Sequence, residues 1–258
     1  EDGIAMDDGT AARLAEDHFV VTTTTANALP VYRHMEFVRQ CLFPDMDVQL
    51  ISTTEAWAQY AVAGPNSRKL LEKIVDQDMS NEAFPFMACA NITVCGGLRA
   101  RLFRISFSGE LAYEIAVPSI YGDALIRKIM EAGAEFDVTP YGTEALGVMR
   151  IEKGHAAGNE LNGTTSAQNL GMGRMVSKIK DSIGSTLSER EGLNRENDLR
   201  QVGIKPVNPA DPVPAGGHLM NAVGPVDAAH DQGYATSAAF SPNLGHMIAL
   251  GFLKDGAN

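Results

Sequence analysis

The stretch 104–117 constrains the fold of this chain more than any other, because it predicts a β-hairpin. It consists of one predicted strand, a tight polar turn at 108–110 and a second predicted strand. Four apolar residues of the second strand share one face by the two-residue period of a strand, namely Leu111, Tyr113, Ile115 and Val117. We therefore predict that this face packs into a core.

The opposite face of the second strand carries one carboxylate, Glu114, between two small side chains, Ala112 and Ala116. Alanines two residues away on either side leave space above the carboxylate, and a ligand needs such space over a sheet. Two interpretations stand at this point. Glu114 is an ordinary surface residue on a solvated face, or it forms one wall of a binding site.

Other predicted elements surround this hairpin. The N-terminal residues predict turns at 2–3 and 7–9 around a short strand. Further strands are predicted by β-forming runs at 12–14, 18–23, 48–52, 60–62, 92–95 and 98–107. Apolar periodicity predicts four helices: one at 26–42, one that begins after an N-cap at Asn66 or Ser67, one at 120–132 and one from Thr143 to Gly154. For the third of these helices, Ser119 is the predicted N-cap and Gly133 the predicted stop.

The C-terminal part changes character. Residues 158–173 predict an irregular loop, and 178–193 a partly helical segment. Short strand candidates separated by Pro and Gly then follow at 201–205, 218–221, 233–238 and 247–253. We predict a domain boundary near Arg200, with a larger region at 1–199 and a small β-domain at 200–258.

Charge and cysteine content restrict the function. The net charge of −11, with no dense Lys/Arg cluster, argues against nucleic acid or an anionic membrane as partner. No apolar run reaches the length of a membrane span. Cys41, Cys89 and Cys95 lack a Cys-x-x-Cys spacing, so we expect reduced, mostly buried thiols in a cytoplasmic protein, and no metal site.

Several motifs, in this order, resemble the glycine-cleavage T-protein (aminomethyltransferase) family of tetrahydrofolate-binding proteins. They are Phe84-Pro85-Phe86, 104–114, Arg150-Ile151-Glu152 and 236–251. The resemblance covers essentially the whole chain and implies an α+β fold: mixed and antiparallel sheets with packed helices, followed by a small C-terminal β-barrel. It also implies that a first segment and the last barrel strands of the family lie outside this sequence.

A second set of motifs resembles, within that family, the C-terminal region of the α subunits of heterotetrameric sarcosine oxidases. The motifs are 7–10, 22–27, 63–65, 105–115 and 139–155. The resemblance implies capture of the one-carbon unit of sarcosine on tetrahydrofolate, giving 5,10-methylenetetrahydrofolate, with glycine and hydrogen peroxide as the other products. Implied partners are a flavin-bearing β subunit and small subunits. NAD and flavins are expected elsewhere in the complex, since this sequence has no Gly-x-Gly-x-x-Gly unit.

The resemblance assigns roles to two carboxylates. Asp8 corresponds to the family carboxylate beside the reactive folate nitrogens, where it would orient the amine, stabilise positive charge or move a proton. Glu114 corresponds to the glutamate that accepts hydrogen bonds from a ring N–H and the amino group of the pterin. Asp8 is therefore the predicted catalytic residue, and both residues are predicted to bind folate.

Three further predicted folate contacts depart from the T-protein pattern. Thr22 stands where T-protein has Asn, Phe107 replaces a Tyr, and His155 falls near a family Tyr. His155 is alternatively a helix-end histidine bonded to backbone. A substrate-side Arg of T-protein corresponds to Leu146, which argues against transfer from a lipoyl-bound aminomethyl group.

Two basic residues near the end of the fourth helix, Arg150 and Lys153, have two possible roles. They would attract the glutamate tail of folate, or they are surface charges that complement the helix dipole.

Alternative functions remain open from the sequence. Within the family these are a stand-alone aminomethyltransferase or the folate domain of a dimethylglycine or sarcosine dehydrogenase. A non-enzymatic folate-binding module, like the iron–sulfur-cluster assembly member of the family, would need a reactive thiol where the chain has His155. The remaining alternative is a scaffold that has lost folate binding, against which the presence of Asp8 and Glu114 argues.

Overall fold

The computed structural model describes residues 2–193, 195 and 198–256. They form two compact units. We call residues 9–141 the N-terminal unit, and residues 2–8 together with 142–256 the C-terminal unit. The predicted division at Arg200 stays a prediction, and these compact units divide the chain at other positions. The outer ends of the two predicted domains, Glu1 and Asn258, lie outside the described residues.

The N-terminal unit contains two antiparallel sheets. Strands β1 (Ala11–Arg13) and β2 (Phe19–Val21) form the smaller one. The larger sheet has the order β3-β6-β5-β4, with β3 at Trp57–Ala63, β4 at Cys89–Val94, β5 at Leu98–Phe103 and β6 at Ala112–Pro118. The helices are α1 (Ala28–Phe37), which continues as a π-helical turn to Leu42, α2 (Ser67–Leu71) and α3 (Gly122–Gly133). The second strand of the predicted hairpin is confirmed as β6, but β5 ends at Phe103, so the strand predicted from Arg104 to the turn is wrong and residues 104–111 connect the two strands.

The core of the N-terminal unit lies on one face of the larger sheet. Tyr113, Ile115 and Val117 of β6 are fully buried there, as the alternation in the sequence predicted. Leu125 and Ile129 of α3 pack into the same cluster. The buried hydroxyl of Tyr113 accepts a hydrogen bond from Arg68 Nε at 2.8 Å, so the polar atom of this core residue has a hydrogen-bond partner.

Several local predictions in this unit are wrong. Residues 48–52 form no strand, because no neighbouring strand pairs with them. Of the two predicted N-caps of α2, Asn66 occupies the N-cap position but makes no side-chain cap hydrogen bond, and Ser67 lies inside the helix with its hydroxyl donating to Leu111 O at 2.8 Å. Ser119 begins a 3-10 turn rather than capping α3. Gly133 is the last residue of α3, as predicted, and a 3-10 turn follows it until Asp137 adopts the left-handed conformation.

The cysteines also differ from the prediction. All three are free, but Cys41 and Cys95 are exposed and Cys89 is half-buried. Cys95 occupies the β4–β5 turn with a φ of 53°, where the chain reverses at the surface. The turn position therefore outweighs the usual tendency of a free thiol to be buried.

The C-terminal unit is built on a four-stranded antiparallel sheet in the order β7-β10-β9-β8. Its strands are β7 (Leu199–Ile204), β8 (His218–Met220), β9 (Asp231–Ser241) and β10 (His246–Lys254). The helices are α4 (Thr143–Lys153) and the short α5 (Ser185–Ser188). Helix α4 packs on this sheet through Ile151, which meets Ile248 and Leu250.

The predicted C-terminal barrel is not confirmed. Within the described residues, β7–β10 form an open sheet whose outer strands β7 and β8 do not pair with each other. The expected mixed sheets are likewise not found, since every strand pairing in the described part of the chain is antiparallel. The coarser prediction, antiparallel sheets with packed helices, is confirmed.

None of the described helices combines the length and the apolar character that crossing a membrane requires.

Candidate functional site

Glu114 lies on the face of the larger sheet opposite the core. It is half-buried between Ala112 and Ala116, and both alanines are at least 90% buried. The β3–β6 register places Ala61 opposite Glu114 and Gln59 opposite Ala116. On this face the neighbours of Glu114 along β6 and across β3 are therefore small or polar, whereas the β5 register places the buried Phe103 opposite it.

The carboxylate of Glu114 is held by one neighbour. The side-chain amide of Gln59 donates a hydrogen bond to its Oε2. Burial raises the pKa of Glu114 above its ordinary value, and the Gln59 bond opposes that shift without cancelling it. The site thus holds a partly desolvated carboxylate with room for further hydrogen-bond donors.

Tyr141 is coupled to Glu114 electrostatically. Burial raises the pKa of the Tyr141 phenol, and the negative charge of Glu114 raises it further. The sequence analysis included Tyr141 in a motif but assigned it no role.

Thr22 follows β2 and joins the smaller sheet through its hydroxyl. Its Oγ1 accepts a hydrogen bond from the backbone N–H of Thr10 at 3.1 Å and lies 2.8 Å from the hydroxyl oxygen of Thr10. Gly9 packs so closely here that a Cβ would lie 2.0 Å from the carbonyl oxygen of Thr22. Close packing therefore explains the glycine at position 9, and the hydrogen bonds to Thr22 explain the threonine at position 10. The Thr22 hydroxyl already has a partner.

Phe107 precedes the predicted polar turn of the hairpin, and its ring is 36% exposed. The turn is formed as expected, with Gly109 at a φ of 89° and its N–H bonded to Ser106 Oγ at 3.0 Å. A fixed turn holds the backbone on both sides of the ring. Phe107 is thus partly exposed at the surface of the N-terminal unit.

Asp8 and His155 meet in the C-terminal unit. His155 Nε2 lies 3.2 Å from Asp8 Oδ2, and the two side chains are 23% and 29% exposed. His155 follows Gly154, which ends α4 in the left-handed conformation with a φ of 81°. The backbone N–H of His155 donates to Arg150 O at 2.9 Å, so the end of the helix fixes the backbone position of His155.

Arg150 belongs to a buried cluster. Its NH1 donates to Glu160 Oε2 at 2.6 Å and its NH2 to Ser237 Oγ at 2.7 Å. The Arg150 side chain is 11% exposed and Glu160 is fully buried. Both sequence interpretations of Arg150, a tail-binding group and a surface charge, are therefore wrong, because its charge is used inside the unit. Lys153 is exposed, and its role stays a prediction.

The structure places the five predicted site residues in two sets. Asp8 and His155 form a pair in the C-terminal unit, while the other three, Thr22, Phe107 and Glu114, lie in the N-terminal unit. The described residues contain no group of three His, Cys, Asp or Glu side chains arranged to hold a metal ion.

Sequence reasoning missed Gln59 and Arg101, which share the Glu114 face of the sheet. Gln59 was missed because the predicted strand began at Tyr60, three residues after the start of β3 at Trp57. Arg101 had a usable signal. Residues 99, 101 and 103 alternate with the buried Ala100 and Leu102, which places Arg101 opposite Ala116 on the ligand-accessible face.

Comparisons with known proteins find relatives over the full length of the chain. The chain is 47% identical over its full length to the sarcosine oxidase subunit alpha of Rhizobium meliloti (strain 1021), and 42% identical over 99% of its length to that of Corynebacterium sp. (strain P-1). It spans about a quarter of these relatives, 26% and 27% of their lengths.

A solved structure shows the same fold. The glycine cleavage system aminomethyltransferase T of Bartonella henselae matches 99% of the chain, with 66% of its own length covered, a TM-score of 0.80 and 23% identity. Residues 1–180 match the family model described as the GCVT N-terminal domain. The chain belongs to this GCVT, or aminomethyltransferase-like, family.

Proposed function

We propose that this chain is the folate-binding part of a sarcosine oxidase α subunit. It would capture the one-carbon unit from the oxidative demethylation of sarcosine as 5,10-methylenetetrahydrofolate, while the whole enzyme also yields glycine and hydrogen peroxide. The full-length similarity to two sarcosine oxidase α subunits supports this assignment. Because the chain spans about a quarter of those proteins, the oxidation and the partner subunits belong to the proposal.

The observation that carries the proposal is the environment of Glu114. A half-buried carboxylate with a raised pKa and a single amide partner gains most from a ligand that brings two adjacent N–H donors. The pterin edge of a folate offers such a pair. Phe107 adds an exposed aromatic face in the same unit. The chemistry of these groups fits a folate.

Asp8 and His155 supply the proposed acid–base group. In the tautomer that carries its proton on Nε2, His155 donates to Asp8 Oδ2 at 3.2 Å and leaves Oδ1 for another partner. A carboxylate fixed in this way would stabilise positive charge on the transferred group or accept its proton. Tetrahydrofolate, when bound, would supply the two amine nitrogens that take up the one-carbon unit.

Thr22 has a more indirect role in this proposal. Its hydroxyl bonds Thr10, so its contribution is to hold the edge of the smaller sheet beside the ligand. Its second lone pair would accept at most one further donor.

The proposal includes features of the complete enzyme. These are a flavin-bearing β subunit with small subunits, NAD and flavins bound elsewhere in the complex, closure of the β7–β10 sheet into a barrel, and a cytoplasmic location. Transfer from a lipoyl-bound aminomethyl group is less favoured, since Leu146 stands in place of the substrate-side Arg of T-protein.

Calorimetry with folinate on the intact protein tests the proposal. We expect binding of one folinate per copy of this chain, weakened at least about tenfold by Glu114→Gln, since hydrogen bonds to a charged group contribute about 1.5–3 kcal/mol. The exposed Glu110→Gln in the same hairpin is the matched control and should bind as the wild type does. A wild-type protein that binds no folinate would overturn the proposed function.

A further inference from the structure

A cavity of about 520 Å³ lies within the N-terminal unit. Its walls are β2, α1, residues 49–54 and the Glu114 face of the larger sheet, from which Gln59, Arg101 and Ala116 contribute. This volume lies in the usual range of small-molecule sites. Neither Asp8 nor Glu114 lines the cavity, but Gln59, the hydrogen-bond partner of Glu114, and Thr22 do, so the cavity adjoins the candidate site.

Arg101 brings a guanidinium group into this cavity. Its Cζ lies 3.9 Å from the ring centroid of Trp57, so the planar group is held against an aromatic face. Its Nε is buried and has no hydrogen-bond partner within the described part of the chain. An unsatisfied buried donor is unfavourable, and in native proteins it calls for a partner.

The charges around Arg101 are unbalanced. The chain carries a net charge of −11, yet no Asp or Glu occurs among the residues that line the cavity. The pKa of Arg101 is lowered by burial first and then by the positive charge of Arg99, and no carboxylate opposes these effects. His18 is the other basic residue of the lining. The lining of this cavity thus contains a guanidinium and no carboxylate, while Glu114 and Glu36 bond the lining residues Gln59 and Tyr32 from outside it.

We infer that this cavity is a carboxylate-binding site in which Arg101 is the cationic partner of the ligand. A guanidinium fixed against an indole keeps its in-plane N–H groups available, and these match the two oxygens of a carboxylate. One arginine with no second Lys or Arg in the lining suits a monoanion better than a phosphate of nearly two charges. Hydroxyl groups of Ser52, Thr53 and Thr54 line the same space and add donors.

This inference rests on the proposed function for the source of the carboxylate. One source is the glutamate tail of the folate. The other is the amino acid whose N-methyl group is oxidised, which carries a carboxylate next to the reacting nitrogen. Both present the same chemistry to Arg101, so the experiment has to separate them.

The test uses the intact enzyme with Arg101→Gln, Arg101→Lys and Arg99→Gln. Arg99 is exposed, lies two residues from Arg101 on the same strand and is not part of the cavity lining, so Arg99→Gln is the matched control. Calorimetry with folinate and with 6-methyltetrahydropterin, which lacks the glutamate tail, gives two affinities. The share of sarcosine-derived carbon recovered as methylenetetrahydrofolate rather than free formaldehyde gives the third readout.

Two results support the site and identify its ligand. If Arg101→Gln lowers the affinity for folinate at least tenfold and the affinity for 6-methyltetrahydropterin less than twofold, the site binds the glutamate tail. If both affinities stay within twofold while the methylenetetrahydrofolate share falls at least threefold, the amino-acid carboxylate is bound. Arg101→Lys, which keeps the charge, is expected to regain part of whichever property is lost and so exclude a simple folding defect.

The inference would be overturned if the Arg101→Gln and Arg99→Gln variants gave the same values in all three readouts. Failure of the proposed function looks different, because the wild type itself would then bind no folate. In that case the carboxylate site is tested with [13C]acetate, whose NMR line is broadened by the wild type. Loss of this broadening in Arg101→Gln supports the site, and equal broadening in the two proteins overturns it.

Discussion

The side-chain amide of Gln59 donates a hydrogen bond to Oε2 of Glu114 between neighbouring strands, although Ala61 is the residue directly opposite Glu114. Gln59 therefore reaches diagonally across the strand pair, since its own register partner is Ala116. This contact places the one polar link to Glu114 on its β3 side. The carboxylate is fixed in orientation while the space over the sheet remains available to a ligand.

Replacing Glu114 by Gln is expected to stabilise the protein at neutral pH. Burial raises the folded-state pKa of Glu114 above its value of 4.5 in the unfolded chain, so ionisation favours unfolding. The difference in melting temperature between Glu114→Gln and wild type should be small below pH 4.5. It should then increase as the pH rises through the folded-state pKa, as measured by thermal denaturation across pH 4 to 8.

The matched variant for this measurement is Gln59→Ala, which removes the donor that lowers the pKa of Glu114. Its destabilisation should be larger at pH 7 than at pH 4, because only the ionised carboxylate depends strongly on the donor. A melting-temperature difference for Glu114→Gln that does not change with pH would contradict the assigned desolvation.

Replacing Arg150 by Met is expected to destabilise the protein by about 3–5 kcal/mol, because it leaves the fully buried Glu160 without its charge partner. Burial raises the pKa of Glu160, but hydrogen bonds from Thr236, the Ala157 N–H and Ser237, together with the Arg150 charge, lower it overall. Glu160 therefore contributes stability that is present at neutral pH and lost as the pH falls through its folded-state pKa.

The double variant Arg150→Met with Glu160→Gln separates charge from packing. It should recover most of the stability lost by Arg150→Met alone, as measured by chemical denaturation, because no unpaired charge remains buried. If the double variant is as unstable as the single one, the role of Arg150 is packing rather than charge.

The sequence predicted those features that depend on neighbours along the chain. The two faces of β6, the turn around Gly109 and the end of α4 at Gly154 follow from local alternation and backbone preferences, and the structure confirms them. Features that depend on pairing between distant segments were not predicted. The apolar residues of 48–52 suit a strand, yet no strand lies beside them, and local propensity does not reveal a missing partner.

The same distinction applies to the candidate site. Glu114 was found because the alanines on either side of it are sequence neighbours. Its link to Gln59 and the stacking of Arg101 on Trp57 require the register of β3, β5 and β6, which is set over about 40–60 residues of sequence separation. Arg150 was misassigned because its partner Glu160 lies in an irregular loop, where no periodicity indicates which side chains turn inward.

A glycine inside α4 and the glycine that caps its C-terminus are expected to respond with opposite sign to the same substitution. Gly154 has a φ of 81°, so Gly154→Ala forces a left-handed alanine and should destabilise the protein by about 1–2 kcal/mol. Gly147 lies inside the helix, and a Cβ there meets no atom within 4 Å, so Gly147→Ala should stabilise it by about 0.5–1 kcal/mol. Thermal denaturation of both variants checks the pair, and equal signs would contradict the assigned helix end.

Replacing Asp8 by Asn tests the proposed chemistry most directly. The variant keeps an acceptor oxygen for His155 but loses the charge that would stabilise or deprotonate the transferred group. Sarcosine oxidation should continue at the wild-type rate, because it takes place at the flavin of the proposed enzyme. The yield of methylenetetrahydrofolate should fall at least about tenfold, with free formaldehyde in its place, since positioned acid–base groups contribute about 10²–10⁴-fold.

The control for this variant is Asp7→Asn, which removes the same charge from the preceding residue of the Asp-Asp pair. It should leave the product ratio as in the wild type, because the contact with His155 is made by Asp8. His155→Gln should give an intermediate ratio, since it keeps the Asp8 charge but loosens its orientation. Equal product ratios in Asp8→Asn and wild type would remove Asp8 from the reaction and leave its pairing with His155 as a purely structural contact.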